Sequence, residues 1–184
     1  MVLEFLADGF EEIEALTPVD VLRRAGVDVK TVSVTNDGFA TGAHGITVNT
    51  DITLDEAFVL SKNGNVDMII LPGGMPGSKN LDENEIVDKI VKKAYDDEIT
   101  LAAICAAPMI LGKRGFLRGK KAVCYPGFEE YLLDARLTGG RVEEDGNIIT
   151  ACGMGAALEF ALVLCKRLKG EDEAERIASS VLEK

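Results

Sequence analysis

Cys105 stands at the end of an apolar, β-compatible run, within the string ITLAAICAA that spans Ile99–Ala107. Two small residues separate it from Pro108, which opens a second apolar run, MILG. That pattern reads as a buried strand, a tight turn and the start of a helix, with a thiol at the corner. Such a turn lifts the sulfur off the sheet, and a helix N-terminus favours the thiolate, which is the nucleophilic form. The other reading of Cys105 is a small buried hydrophobe, as free cysteines often are.

Two further strings carry groups that a nucleophile needs. Glu11, Glu12 and Glu14 crowd the loop and first helical turn after the first strand. Pro72-Gly73-Gly74 breaks the apolar run Val66–Leu71 and offers backbone N–H groups with no side chains in the way. Plainer readings exist for both: first-turn acids suit the helix dipole, and a glycine pair ends a strand.

The elements that must position these groups alternate. Val2–Leu6 reads as a strand. Glu11–Ala25 reads as a helix, with Ile13, Leu16, Val19, Leu22 and Ala25 at helical spacing and Pro18 as an expected kink. Val29–Val34 is a second strand, and Gly42–Ile52 holds short ones. The apolar strand Val66–Leu71 is followed by an amphipathic helix over Glu83–Tyr95, then by the elbow. Lys121–Cys124 is a further short strand and Arg141–Ala151 a hairpin. Gly155–Leu168 and Asp172–Leu182 are helices. Apolar strands alternating with helices predict an α/β sandwich around a mainly parallel sheet, in one domain over 1–184. In such sheets ligands bind beyond the carboxyl ends of the strands. The loops Ala7–Glu14, Pro72–Ser78 and Cys105–Pro108 all lie there, so carboxylates, backbone donors and a thiol converge.

Composition excludes several classes. Hydrophobic residues make up 47% of 184 and charged residues 28%, which fits a globular chain. A net charge of -11 opposes nucleic acid and anionic membrane as partners. No apolar run approaches a membrane span, and the N-terminus lacks the basic segment of a secretory signal. Cys105, Cys124, Cys152 and Cys165 form no CxxC pair, and His44 is the only histidine, so no zinc site is expected. All four thiols are expected reduced and the protein cytoplasmic.

The strings GFEEIEALTPVDVLRRAG, LPGGMPGSKNL, AAICAAPMIL and ACGMGAALEFAL, in that order, resemble the ThiJ/PfpI superfamily, most nearly the branch of the Parkinsonism-associated deglycase. The resemblance covers nearly the whole chain. It implies a flavodoxin-like three-layer fold and a homodimer. It matches the family's reactive cysteine to Cys105, the carboxylate that hydrogen-bonds it to Glu14, and the glycine pair to Gly73 and Gly74. Amides of that pair and of Ala106 could then form an oxyanion site. The chain departs from the family at two positions. Ala106 stands where the protease-like branch has histidine, so that Cys-His pair is missing. Tyr125 stands where the deglycase branch often has a His-Pro histidine, and a phenol with a reference pKa near 10 is a poor base at neutral pH. Glu14 is left as the acid–base residue, with burial expected to raise its pKa toward neutrality. His44 aligns with an arginine that reaches toward the dimer partner, or is simply a loop residue. Cys152 falls near the pocket.

The implied activity is cofactor-independent chemistry on small reactive aldehydes, of glyoxalase III or deglycase type, converting methylglyoxal to lactate. The rival is a cysteine-based oxidative-stress sensor or redox-regulated chaperone that uses the same two residues.

Overall fold

Val2–Leu6 (β1), Met68–Leu71 (β6) and Thr100–Ile104 (β7) are buried along their whole length, because they lie side by side in a parallel sheet covered on both faces. The computed structural model describes residues 1–183. Between and after these strands come α1 (Glu12–Arg24), β2 (Val29–Ser33), β3 (Phe39–Thr41), β4 (Thr47–Asn49), β5 (Ile52–Thr53), α2 (Leu54–Lys62), α3 (Gly77–Glu83), α4 (Glu85–Asp96), α5 (Pro108–Lys113), β8 (Lys121–Ala122), β9 (Arg136–Leu137), β10 (Val142–Asp145), β11 (Ile148–Ala151), α6 (Ala157–Lys169) and α7 (Glu171–Ser180).

The central sheet has seven strands in the order β10-β11-β7-β6-β1-β2-β5. All its pairs are parallel except β10 with β11, the hairpin expected around Gly146 and Asn147. One face packs Leu3, Phe5, Ile69, Leu71 and Leu101 against α2, α3, α4 and α5. The other packs Val2, Met68, Ile70, Ala102 and Ile149 against α1, α6 and α7. The result is the flavodoxin-like three-layer α/β sandwich that the strings implied. No described helix is long and apolar enough to cross a membrane.

The structure corrects several boundaries. Two helices, α2 and α3, occupy stretches for which no helix was expected. Glu83 ends α3, and α4 begins after Asn84, whose side chain accepts from the amides of Ile86 and Val87. A 3₁₀ turn over Met154–Ala156 precedes α6. Lys121–Cys124 shortens to β8, which pairs with β9 in a separate two-stranded sheet. Helix α1 runs through Pro18, which removes the amide that would otherwise bond the carbonyl of Glu14.

One buried group breaks the pattern. Glu4, at the middle of β1, is fully buried, and neither carboxyl oxygen has a hydrogen-bond partner. Burial holds its pKa well above the ordinary carboxylate value, with only the charge of Arg23 acting the other way.

Candidate active site

Cys105 follows β7 directly and has φ +64, a left-handed conformation that costs a non-glycine residue about 1–2 kcal/mol. Two backbone hydrogen bonds hold it there. Its N–H donates to the carbonyl of Ala151 at 2.9 Å, and its carbonyl accepts from the N–H of Tyr125 at 2.8 Å. Pro108 then opens α5, where a missing N–H is no loss. The elbow thus exists as the residues suggested, with strain at the thiol-bearing residue.

Glu14 comes to the same place from α1. Its own N–H is capped by the Glu11 carboxylate at 2.7 Å, which fixes the first turn. The N–H of Glu11 donates to the carbonyl of Gly73 at 2.9 Å, tying the α1 entrance to the glycine loop. Gly73 lies between the two candidate catalytic side chains. A Cβ there would overlap Oε2 of Glu14 and come 2.5 Å from Cβ of Cys105. Gly74 has φ +90, and a Cβ on it would come 2.7 Å from the carbonyl oxygen of Gly9. Both glycines are therefore required by close approach.

The electrostatics bind the pair together. Glu14 is buried, and no donor satisfies its Oε2. Burial, followed by the nearby charge of Glu11, raises its pKa to about 7, although the Cys105 thiol and the amides of Gly73 and Met154 favour its carboxylate. Burial also pushes the Cys105 thiol up to about 12, helped by the charge of an ionised Glu14 and by its hydrogen bond. The amides of Ala106 and Gly74 face the sulfur and favour the thiolate, but they are outweighed. This corrects the expectation that the helix terminus alone would favour the thiolate. The two values describe one arrangement, in which the thiol carries the proton and Glu14 is ionised. With the proton on Glu14 instead, two of the three causes that hold the thiol up disappear.

The other sequence candidates separate. Ala106 is buried, with its amide at the sulfur. Gly73 was expected as an oxyanion donor. Its amide faces the Glu14 carboxyl, and the amides of Gly74 and Ala106 face the sulfur. Tyr125 is half exposed and its ring approaches Gly153: a Cβ on that glycine would lie 3.3 Å from the ring and 3.8 Å from Oε1 of Glu14. His44 is not at this pair. Its Nδ1 lies 2.7 Å from Oε2 of Glu12, and its N–H donates to Oε1 at 2.7 Å. The bonds from the His44 ring and backbone overcome burial and hold Glu12 below the ordinary carboxylate value, while the His44 pKa is raised by the same partner. Glu11, Glu12 and His44 each place one ligand atom within 4.8 Å of the others, an arrangement that could hold a cation. Cys152 lies one residue past β11, next to the Ala151 carbonyl that holds the elbow, and lines a groove that it shares with Cys124.

Sequence reasoning missed Gly153 and Met154, which border Glu14. Only the GMG string hinted at a tight backbone there.

Residues 1–167 match the DJ-1/PfpI family. The chain belongs to the DJ-1/PfpI family. It is 39% identical over 179 residues to protein DJ-1 homolog B of Arabidopsis thaliana, matching 96% of this chain and 40% of that protein. The chain thus spans less than half the length of that relative. It is 33% identical over 171 residues to a protein of Pyrococcus abyssi named a deglycase, matching 91% of this chain and 99% of the other. The solved structure described as Toxoplasma gondii DJ-1, oxidized, superposes with a TM-score of 0.91 at 36% identity, covering 98% of this chain and 97% of that one.

Proposed function

We propose that this protein is a cofactor-independent enzyme in which Cys105 attacks small reactive aldehydes, with Glu14 as the proton carrier. The observation that carries the reading is the buried, otherwise unsatisfied Oε2 of Glu14 beside a strained cysteine. A carboxyl with a pKa near 7 is matched to proton transfer at neutral pH. With methylglyoxal, Glu14 takes the thiol proton as the Cys105 sulfur bonds to the aldehyde carbon, and returns it to the resulting oxyanion, which the amides of Gly74 and Ala106 meet. Glu14, ionised again, carries the proton from that carbon to the neighbouring carbonyl carbon as the electron pair shifts, and the hydroxyl proton passes to the former ketone oxygen. The aldehyde carbon is oxidised and the ketone carbon reduced, giving a lactoyl thioester. Water then breaks the carbon–sulfur bond, releasing lactate and restoring the thiol. Removal of sugars or dicarbonyls from glycated amines follows by consumption of the free aldehyde, in keeping with the deglycase name of the Pyrococcus relative. Lactate formation by the wild type and its absence in Cys105→Ala is the test.

A second reading has its own support. The Toxoplasma structure is described as oxidized, and a protonated Glu14 would stabilise a sulfinate on Cys105. A protein that lacks turnover but whose Cys105 is oxidised first by peroxide would favour that sensor reading.

A homodimer is part of the proposal. Ile13 on α1 and Phe39 and Ile46 in the β3–β4 hairpin are 44–54% exposed. The hairpin adjoins the α1 entrance, with the Ala43 N–H on the carbonyl of Phe10 at 2.7 Å. A partner copy would cover these side chains and bring His44 toward the neighbouring site. Sedimentation showing only monomer would defeat this. Four free thiols accord with a reducing, cytoplasmic setting.

A further inference from the structure

The chain neighbours of Tyr125 and Gly153 border a second concavity. This groove, of about 440 Å³, is bounded by Cys124, Pro126, Glu129, Leu137, Arg141 and Cys152. Gly153 borders Glu14, while its chain neighbour Cys152 lines the groove together with Cys124. Two thiols therefore share one concavity on adjacent segments. The segments are locked in register, because the Val123 N–H donates to Thr150 Oγ1 at 3.0 Å, one step before Cys124 and two before Cys152.

The backbone ties both thiols to Cys105. Cys105 donates to Ala151, the residue before Cys152, and accepts from Tyr125, the residue after Cys124. Cys105 holds its left-handed conformation through these two bonds, so a bond across the groove would act on both anchors at once.

We propose that Cys124 and Cys152 form a reversible dithiol–disulfide site that closes across this groove. With a peroxide, Cys152 is oxidised first, because it is the more exposed of the two. Its sulfur gains the peroxide oxygen as a sulfenic acid, and the peroxide leaves as alcohol or water. The Cys124 sulfur then attacks, the sulfur–sulfur bond forms, the sulfur–oxygen bond breaks and water departs. A dithiol reductant reverses the step. Burial, then the Glu129 charge, pushes the Cys124 thiol up to about 11, which fits the resolving rather than the first-attacked role. This site does not depend on aldehyde turnover at Cys105, so failure of either reading leaves the other standing.

The test uses Cys105→Ser, which keeps Cys124, Cys152 and Cys165. Treatment with diamide, which converts thiol pairs to disulfides, is expected to remove two of the three titratable thiols. Peptide mapping should recover Cys124 linked to Cys152 within one chain, lighter by the two hydrogens lost, and dithiothreitol should restore both thiols. Cys124→Ser and Cys152→Ser variants should form no intrachain link. Three titratable thiols after treatment, a link that includes Cys165, or links only between chains would overturn the proposal. With Cys105 intact, closing the pair should change the rate at which iodoacetamide alkylates Cys105. An unchanged rate would overturn the link between the groove and the elbow.

Discussion

Replacing Glu14 with glutamine should remove a pH-dependent cost to stability. In the unfolded chain this carboxyl titrates near 4.5, and in the folded protein near 7. A folded pKa above the unfolded one means that stability is fully present below pH 4.5 and is lost as the pH rises through about 7. The separation of these values corresponds to about 3 kcal/mol at 1.36 kcal/mol per unit. Glutamine keeps the shape and has no proton to lose. Urea unfolding of wild type and Glu14→Gln at about pH 4.5 and about pH 8.5 isolates the group, because every other titration cancels in the difference. The variant should gain about 3 kcal/mol relative to wild type between the two conditions. A difference that stays constant with pH would refute the reasoning, since Glu14 would then titrate as an ordinary exposed acid.

Other outcomes follow from the same contacts. Gly73→Ala should destabilise by about 1–3 kcal/mol, because its Cβ meets both Glu14 and Cys105; its aldehyde turnover should fall about 100-fold if the pair is displaced. Glu4→Met should stabilise by about 1–3 kcal/mol in thermal or urea unfolding, by replacing a buried carboxyl that lacks partners. Mild peroxide followed by peptide mapping should find Cys105 modified before Cys165, which is fully buried. Equal modification of the two would mean that the elbow confers no reactivity.

The apolar strands and the elbow were legible because burial on both faces leaves an unbroken hydrophobic run, and a thiol before a helix-opening proline is a local signal. Helix α2 carries a local signal. Thr53 and Glu56 form a reciprocal capping box, and the spacing Thr-x-x-Glu was there to read. Helix α3 had no such mark, since Pro76 caps it with no side-chain bond. The convergence of Glu14, Gly73 and Cys105 could be inferred from strand ends. The protonation order of the pair could not, because it depends on how completely the tertiary fold dries Glu14 and the sulfur. The role of Gly153 was equally hidden, since the ring and carboxyl it separates come from segments distant in the chain.

The most direct measurement is lactate formation from methylglyoxal across pH in wild type, Cys105→Ala and Glu14→Gln. The reactive pair holds one proton, so the wild-type rate should rise as the pH passes through about 7 and the first proton leaves. Cys105→Ala should form no lactate above background. Glu14→Gln should lose about 10²–10⁴-fold, the usual contribution of a general acid–base, and should lack the rise near neutrality. Lactate from Cys105→Ala at the wild-type rate, or a wild-type pH profile in Glu14→Gln, would contradict the account.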